Sequence, residues 1–394
     1  MKAGAAYTPG PCGGADTGPD TGSARAEATP LRVMTVLPPR EHFAVAEAGA
    51  IAILVHRMAR AGEVVVGRAP SGPPYPDVPF LAVPRVFLPL RRQARYAQGV
   101  ARLVRQVRPD LVEVHNRADL ALALRRSCPA VPVMLVLHND PCAMRDAGTP
   151  AERDHLARQV AVVAVSEWVR LRFVSGGVQA CVSVLPNSLD FTALPAPVSR
   201  RENLVLFAGR VVADKGADAF VAACNTLLAR YPGWQAEILG ADRFGPHSPR
   251  TGFLERLQAD AASAGVRLRG MVPHAEVLET MSRAAIVVAP SRWAEPFGMV
   301  ALEAMGCGAA LVVSRNGNLP ELAGSAALYA DPDDPPTVTT AMETLMTDAD
   351  LRARLGNAGR QRAASFDSHA IATQRAMLHA EVVRAWPGKG LFHA

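Results

Sequence analysis

Short apolar runs alternate with longer amphipathic segments along most of the chain. The first run covers residues 31–37, and a helical pattern from about residue 47 to residue 61 follows it. Such uninterrupted runs are typical of strands that are covered on both faces, and alternation with helices predicts a parallel α/β sheet. The other strand candidates of the first half are residues 63–67, 85–89, 110–114, 132–137, 161–165 and 182–185.

A break in this pattern lies at residues 190–203, where proline and polar residues suit an interdomain linker. A second β/α series follows, and residues from 350 to about 385 have a helical pattern. The sequence therefore predicts two Rossmann-like, doubly wound domains that face each other across a cleft, with ligands at the carboxyl ends of the strands. Strand candidates of the second half are residues 203–208, 234–239, 266–269, 285–289, 309–313 and 327–329.

The predicted boundaries follow from these patterns. The first 30 residues are rich in Gly, Ala, Pro, Thr and Asp, which cannot bury a core, so we expect a disordered tail. The expected divisions are a tail at 1–30, an N-terminal domain at 31–190, a linker at 191–203, a C-terminal domain at 204–366 and a C-terminal helix at 367–394.

Composition narrows the class of protein. With 394 residues, 49% of them hydrophobic, the chain can fill two domain cores. No run of 18 apolar residues predicts a membrane span, and the first residues lack the apolar segment of a signal peptide. Six cysteines without a C-x-x-C pair disfavour zinc and a disulfide framework. We therefore expect a cytoplasmic protein.

The net charge of +6 suits an anionic ligand, a nucleic acid or an acidic membrane surface. Aromatic residues make up only 5%, which disfavours nucleic acid. Arg91, Arg95, Arg102 and Arg105 fall at helical spacing and form one basic face. Such a face is commonly just solvated, and the alternative is contact with anionic lipid on the inner membrane face or with an acidic acceptor.

The stretch from Glu295 to Glu303 carries the strongest chemical signal. Two carboxylates stand eight residues apart, with Gly298 between them at a predicted helix start. A helix start offers free N–H groups and a positive dipole end to phosphate, and carboxylates accept hydrogen bonds from sugar hydroxyls. The spacing predicts the layout of a nucleotide sugar. Taken alone, glutamates that only complement the helix dipole would look the same.

Two cations follow the first strand candidate of the second half. Arg210 and Lys215 lie where a diphosphate would sit, and Gly216 permits a tight turn. Each charge-assisted hydrogen bond to phosphate contributes about 1.5–3 kcal/mol. The alternative for this loop, taken alone, is a surface loop with two solvated cations.

Weaker signals lie in other strand-to-helix loops. Met271 and Val272 stand where backbone groups can meet a nucleobase edge. Gly49 permits a ligand to approach a helix start, and His138 ends the strand candidate 132–137 on the ligand side. Plain connections and a hydrogen-bonded loop histidine remain the alternatives. Neither G-x-G-x-x-G nor a P-loop motif follows a strand, which disfavours dehydrogenases and P-loop nucleotidases.

Together these motifs resemble the retaining glycosyltransferases of family 4, which have the GT-B fold. The resemblance covers nearly the whole chain after residue 30 and is strongest over residues 204–330. Residues 37–41 and 137–141 are similar to a group of bacterial polysaccharide glycosyltransferases. The motifs that carry the resemblance are Gly209-Arg210 with Lys215-Gly216, the Gly270 loop, and Glu295 through Glu303.

The resemblance implies roles on the donor. Arg210 and Lys215 would hold its diphosphate, Glu303 its ribose, and Glu295 the hydroxyls of the transferred sugar. His138 would contact a sugar hydroxyl near the anomeric carbon. The remaining donor-binding positions would be Met271 and Val272 at the base, Gly49 at the diphosphate, and Phe297, Gly298, Met299 and Val300 at the sugar or phosphate. The final helix would cross back to the N-terminal domain.

Two positions depart from the family pattern. Relatives often have two adjacent glycines in the first loop, whereas here Gly49 follows Glu47 and Ala48, which places an acid near the expected phosphate. After the strand candidate 309–313 a Gly-Gly pair is common, and here Gly317-Asn318 stands in its place.

The resemblance implies a retaining transferase that moves a hexose from a nucleotide-diphosphate sugar to a glycan, lipid-linked or small-molecule acceptor, in polysaccharide or glycoconjugate synthesis. It implies no cofactor and no metal. Three alternatives stay open: another GT-B enzyme such as an epimerase or a phosphorylase, a non-catalytic nucleotide-sugar-binding protein, and a basic peripheral protein.

Overall fold

The structure is a computed structural model that describes residues 30–45, 47–86, 91–196, 198, 200–242 and 251–386. Except for Pro30, the predicted tail at residues 1–30 lies outside the described residues. The chain divides into two compact units. The first unit contains Met1–Ser188 and His369–Ala394, and the second contains Leu189–Ser368.

The first unit is built on a parallel sheet of seven strands in the order β3-β2-β1-β4-β5-β6-β7. The direction in which strands are added reverses between β1 and β4, which pair in parallel. The strands are β1 (Val33–Val36), β2 (Glu63–Gly67), β3 (Phe80–Ala82), β4 (Leu111–His115), β5 (Val133–Leu137), β6 (Ala161–Ala164) and β7 (Ser183–Val184).

Local sequence explains the helices of this unit. The helix at Pro150–Gln159 begins after Thr149, whose hydroxyl accepts from the Glu152 N–H while the Glu152 carboxylate accepts from the Thr149 N–H. This reciprocal capping satisfies donors that have no partner within the helix. The helices are α1 (Ala50–Met58), α2 (Arg92–Val107), α3 (Ala118–Ser127), α4 (Pro150–Gln159) and α5 (Glu167–Val174).

The second unit has a parallel sheet of six strands in the order β10-β9-β8-β11-β12-β13. Its core includes Phe207, Phe220 and Ile286, which are almost fully buried. The strands are β8 (Glu202–Ala208), β9 (Gln235–Leu239), β10 (Val266–Gly270), β11 (Ala284–Ala289), β12 (Ala310–Val313) and β13 (Ala327–Tyr329).

Helices cover this second sheet. They are α6 (Ala217–Arg230), α7 (Gly252–Ser263), α8 (His274–Arg283), α9 (Met299–Gly306), α10 (Leu319–Ala323), α11 (Pro335–Thr347) and α12 (Ala349–Ala363). The predicted class of two doubly wound α/β sheets is confirmed.

The last helix, α13 (Ser368–Ala385), packs in the first unit although it follows the second along the chain. Its Arg375 is 2% exposed, and the guanidinium donates to Glu63 at 2.9 Å and to Glu113 at 2.9 Å. A buried cation needs such partners, because an unpaired charge away from water is costly.

One strand and one helix boundary differ from the prediction. The described part of the predicted strand 85–89 is not a strand, and residues 87–89 lie outside the described residues. The strand lies earlier, at Phe80–Ala82, and ends before Pro84, which donates no N–H to a ladder. The first helix, expected over residues 47–61, covers Ala50–Met58.

Candidate active site

Loops at the carboxyl edge of the second sheet hold the predicted donor residues. Strand order reverses between β8 and β11, and a crevice at such a switch point is where doubly wound sheets bind ligands. Arg210 and Lys215 follow β8, and Glu295 follows β11. The Lys215 ammonium lies 2.5 Å from Glu295 Oε1, so the structure brings together two groups that are 80 positions apart.

The Lys215 charge is held from two sides. Its side chain is 18% exposed, and besides Glu295 it meets the indole of Trp293, whose ring centroid is 4.4 Å from the ammonium. An ammonium has three donors, so the bond to Glu295 leaves two for a further acceptor. The indole face attracts the same cation. This arrangement fixes a positive charge without using up its hydrogen bonds.

Arg292 fastens the loop after β11. Its guanidinium donates to Asp218 at 2.7 Å and to Asp333 at 2.6 Å. The backbone N–H groups of Arg292 and Trp293 both donate to the Asp214 carbonyl, at 2.8 and 2.9 Å. The loop that carries Glu295 is therefore bound directly to the turn that carries Lys215.

Two glycines allow these loops to touch. Gly216 has φ +72°, and a Cβ there would lie 2.0 Å from the Pro290 carbonyl oxygen. Gly317 has φ +65°, and a Cβ there would lie 2.3 Å from both the backbone N and O of Glu295. Any larger residue would clash with backbone that cannot turn away. Gly317 thus sets how closely the loop after β12 supports Glu295.

Asn318 completes this support. Its backbone N–H donates to the Glu295 carbonyl at 2.8 Å, and its side-chain amide donates to the Phe297 carbonyl at 3.0 Å. Gly317-Asn318, the pair that departs from the family pattern, therefore holds the loop in place. The Phe297 side chain is buried edge-on against Phe366, with ring centroids 5.8 Å apart, so it is not open to a ligand.

The predicted helix start is present. Gly298, with φ +101°, immediately precedes α9, which begins at Met299. The Val300 side chain lies next to Gly209, since a Cβ built on that glycine would be 4.0 Å from Val300 Cγ2. The free N–H groups at the start of α9 therefore lie beside the loop that leads to Arg210.

Glu303 lies on the second turn of α9 and is 7% exposed. His274, the first residue of α8, places Nε2 2.8 Å from Glu303 Oε1. The second carboxylate oxygen, Oε2, can accept further hydrogen bonds. At the end of β10, Met271 is 64% exposed and Val272 is partly buried.

His138 follows β5 in the first unit and is 9% exposed. Its Nε2 lies 2.8 Å from His115 Nδ1, and His115 Nε2 donates to Glu113 at 2.7 Å. Burial, together with His115, holds the pKa of His138 well below its ordinary 6.5. A neutral imidazole has one donor and one acceptor nitrogen, so His115 determines which nitrogen of His138 donates.

Glu113 anchors this pair of histidines. Burial alone would raise the pKa of the Glu113 carboxyl, but Arg375 and hydrogen bonds from His115 and His379 hold it well below its ordinary range. His379 Nε2 lies 2.6 Å from Glu113 Oε2. The C-terminal helix therefore fixes the orientation of His138 through two intervening side chains.

Two family models match the chain: "Glycosyl transferases group 1" matches residues 195–362, and "Glycosyltransferase Family 4" matches residues 50–192. The chain belongs to the family 4 glycosyltransferases. The predicted enzyme class, a hexosyltransferase with a nucleotide-sugar donor, is confirmed. The similarity to the polysaccharide group stays a prediction.

This glycosyltransferase is 28% identical over 299 residues to a glycogen synthase of Mycobacterium tuberculosis, which covers 70% of this chain and 69% of the relative. It is 34% identical over 190 residues to a D-inositol 3-phosphate glycosyltransferase of Corynebacterium jeikeium. That match covers 46% of this chain and 44% of the relative. The solved structure of HepE from Anabaena in complex with UDP-glucose matches with a TM-score of 0.70 at 18% identity, covering 88% of this chain and 99% of that one. The predicted GT-B fold is confirmed.

The acid next to Gly49 is Glu41, whereas the sequence led us to expect Glu47 there. A Cβ on Gly49 would lie 2.4 Å from the Glu41 carboxylate, which also accepts from the Ala52 N–H at 3.3 Å. Burial raises the pKa of Glu41. Glu47 instead points to another loop, where it accepts from the Ser71 N–H at 3.0 Å. The acid at the start of α1 is therefore Glu41, and a donor phosphate at Gly49 would have to share that helix start with it.

The basic face of the glycosyltransferase follows helix α2. Arg91 precedes the helix, and Arg95, Arg102 and Arg105 lie along it with exposed side chains, while Val100, Leu103 and other apolar residues face the core. Within the described residues, no helix is long and apolar enough to cross a membrane.

Sequence reasoning missed four side chains of these sites. Trp293 and Arg292 stand next to the Glu295 motif, and their place in the same loop was the available signal. His274 follows the Gly270 loop and His115 follows the strand candidate 110–114, and neither belongs to a motif that marks it. In the described part of the chain, no group of three or more His, Cys, Asp or Glu side chains could hold a metal ion.

Proposed function

We propose that this glycosyltransferase moves a hexose, with retention, from a nucleotide-diphosphate sugar to a glycan, lipid-linked or small-molecule acceptor. The setting we propose is bacterial polysaccharide or glycoconjugate synthesis in the cytoplasm. The contact of Lys215 with Glu295, beside the start of α9, is the observation that supports this most strongly. It supports the proposal because a cation that can bind a diphosphate lies next to a carboxylate that can accept hydrogen bonds from sugar hydroxyls.

In the proposed reaction, the acceptor oxygen forms a bond to the anomeric carbon while the bond from that carbon to the β-phosphate oxygen breaks. The nucleoside diphosphate leaves and takes the acceptor proton on the departing oxygen. Negative charge therefore grows on the β-phosphate in the transition state. Arg210, Lys215 and the N–H groups at the start of α9 would stabilise it, and fixed donors of this kind need no metal.

We assign three further roles within the same proposal. Glu303 would accept hydrogen bonds from the ribose hydroxyls and Glu295 from the transferred hexose. His138 would contact a hydroxyl of that hexose. Its neutral form suits this role, since it offers a donor or an acceptor without adding charge near the developing oxocarbenium centre.

The test is transfer by Lys215→Ala and Glu295→Ala proteins. Each variant should lower the kcat/KM for the donor by about 10- to 150-fold, because it loses one charge-assisted hydrogen bond. Its melting temperature should stay close to that of the wild type. Arg283→Ala and Glu202→Ala provide the matched control. They break an exposed ion pair of 2.7 Å in the same unit and should leave transfer unchanged.

Near-wild-type turnover in either site variant would contradict the assignment. The same assay separates the alternatives. Nucleotide release that requires an acceptor indicates transfer, conversion of the donor sugar without release indicates an epimerase, and sugar release that requires phosphate indicates a phosphorylase. Binding of nucleotide sugar without any turnover would indicate a non-catalytic protein.

We also propose that the exposed arginines of the α2 face touch an anionic membrane surface. A phospholipid surface attracts juxtaposed Lys and Arg with about 1 kcal/mol each. Wild-type protein should therefore float with anionic vesicles at low salt, and an Arg102→Gln/Arg105→Gln double variant should float less. Equal flotation of both proteins, or equal binding to neutral vesicles, would remove this proposal.

A further inference from the structure

A concave site lies within the first unit, away from the donor-phosphate residues Arg210 and Lys215 of the other unit. It is a cavity of about 660 Å³ at the carboxyl ends of β1 to β4, next to the start of α2. That volume is within the range of small-molecule sites. Six arginines line it, and we call it the arginine pocket: Arg40, Arg68, Arg85, Arg92, Arg95 and Arg117.

The charges in the arginine pocket are largely uncompensated. Arg117 is paired with Asp119, to which it donates at 2.8 and 2.5 Å. In the described part of the chain, no salt bridge joins a carboxylate to any of the other five guanidiniums. Elsewhere in this protein arginines take carboxylate partners, as Arg292 and Arg375 do. Five exposed guanidiniums around one cavity therefore create a positive potential that attracts an anion.

Helix α2 adds to the same field. Its first turn reads Arg92-Gln93-Ala94-Arg95, and no side chain caps the N-terminal N–H groups of this fully described helix. Basic residues at the positive end of a helix dipole are destabilising, and an anion there is stabilising. The arginines in the first turn destabilise helix α2, and an anion bound at the helix start would offset this effect.

Guanidinium chemistry narrows the anion. The planar fork of arginine matches two oxygens of a phosphate, and arginine is the preferred residue where such groups are recognised. The five guanidiniums come from three loops and from helix α2, which is more than one phosphate monoester can engage. A diphosphate, or two phosphate groups, would use them. The pocket therefore suits a ligand with more than one negative charge.

The arginine pocket lies next to the loop that carries His138. Asn116 lines the pocket, and its side-chain oxygen accepts from the backbone N–H of His138 at 3.1 Å. The pocket thus shares a residue with the loop that holds the histidine assigned to the hexose. The predicted donor-phosphate residues Arg210 and Lys215 belong to the other unit. The donor-phosphate residues and the arginine pocket therefore belong to different units.

We infer that the arginine pocket binds phosphate groups of the acceptor, so that the acceptor is a phosphate or diphosphate ester. This inference rests on the proposed function. The shared chemistry is the phosphate ester, and it can belong to a soluble sugar phosphate or to a lipid-linked sugar diphosphate. The experiment is arranged to distinguish these two sources.

The first measurement is calorimetric binding of inorganic pyrophosphate to the full chain carrying Lys215→Ala, which weakens the donor site. Binding should persist, and adding Arg40→Gln/Arg92→Gln should weaken it by at least about tenfold, the loss of one charge-assisted bond. Adding Arg126→Gln, an exposed arginine on α3, should change nothing. Equal pyrophosphate binding by all three proteins would overturn the inference.

The second measurement is transfer to matched acceptors. A hexose phosphate in solution, or a polyprenyl-diphosphate sugar in phosphatidylcholine vesicles, should be used in preference to the same sugar without phosphate. Whichever phosphorylated form is used identifies the source. Arg40→Gln/Arg92→Gln should raise the KM for that acceptor and leave hydrolysis of the donor alone unchanged. An unphosphorylated sugar used equally well would overturn the inference.

The two failures can be told apart. If the wild type turns over donor but the acceptor KM is the same for the wild type and for Arg40→Gln/Arg92→Gln, the acceptor assignment alone is wrong. A wild-type protein that binds pyrophosphate in the pocket but turns over no donor under any condition would remove the proposed function, and the acceptor assignment with it.

Discussion

Lysine occurs at only three positions of the sequence, and Lys215 is the one within the described residues. Arginine is used for the structural ion pairs of both units. A compact ammonium with three donors can bind Glu295, rest on Trp293 and still reach a ligand, whereas the rigid fork of arginine commits to one plane. The choice of lysine at this position fits a cation that must share its bonds.

The proposed role of Glu303 as the ribose ligand can be tested with Glu303→Gln. Replacing it by glutamine keeps the shape and the contact with His274 but removes the charge. Nucleoside diphosphate should then bind about 10- to 150-fold more weakly, because hydrogen bonds from two ribose hydroxyls to a carboxylate are charge-assisted. Calorimetric titration measures the change, and the preference for the ribose over the 2′-deoxyribose form should shrink.

Glu279→Gln is the control, since this exposed glutamate lies on α8, the helix that begins at His274. It should bind nucleotide as wild type does. If Glu303→Gln matched it, with the ribose preference intact, Glu303 would not be the ribose ligand.

Spacing alone allowed Lys215, Glu295 and Glu303 to be chosen from the sequence, because the motif fixes each of them relative to a strand end or a helix start. Trp293 and His274 could not be chosen in this way. Their contacts depend on how two loops from different strands meet, which is a property of the folded sheet. The roles of all these residues in binding stay predictions.

Support from neighbouring loops decides the geometry at the scale of elements. The loops after β8, β11 and β12 are joined through Asp214, Gly216 and Gly317, so Glu295 is positioned by backbone contacts as much as by its own strand. A displacement of about 1 Å at a catalytic group can lower a rate by about 100-fold.

Gly317→Ala tests this support. The new methyl would lie 2.3 Å from the backbone of Glu295, so that loop must shift and transfer should fall by about 100-fold. The control is Gly265→Ala. Gly265 also has a positive φ, of +71°, but its nearest neighbour in the new position is a leucine methyl group at 3.9 Å.

Both alanines carry the same backbone penalty of about 1–2 kcal/mol, and the clash adds a further cost for Gly317→Ala, so transfer should be compared at a temperature where both proteins are folded. Only Gly317→Ala should lose transfer. Equal activity of the two proteins in a steady-state assay would mean that the contact with Glu295 does not position it.

Strands were the most predictable elements, since apolar runs such as Val133–Leu137 leave few other conformations for a buried segment. At residues 85–89 a strand was predicted from an apolar run that begins just after Pro84, whereas the strand lies before that proline, at Phe80–Ala82. The start of α1 shows another limit. The sequence marks Gly49 as open to a ligand, but only the folded loop shows the Glu41 carboxylate beside it.

The division of the whole molecule into two units depends on contacts that no local pattern shows. Arg375 joins the C-terminal helix to Glu63 and Glu113, which precede it by 312 and 262 positions. The fold brings these charges together, and no local pattern in the sequence marks Glu63 or Glu113 as a partner of Arg375. The same helix holds His379 against Glu113 and so reaches the histidine pair of the first unit.

The proposed function of the whole molecule depends on one binding event, that of a nucleoside diphosphate at the loops after β8 and β11. Calorimetric titration of UDP, GDP, ADP, CDP and dTDP into wild-type and Lys215→Ala proteins tests it directly. We predict that at least one nucleotide binds the wild type and binds Lys215→Ala about 10- to 150-fold more weakly. If none of them binds, or if one binds equally well to both proteins, the proposed function is contradicted.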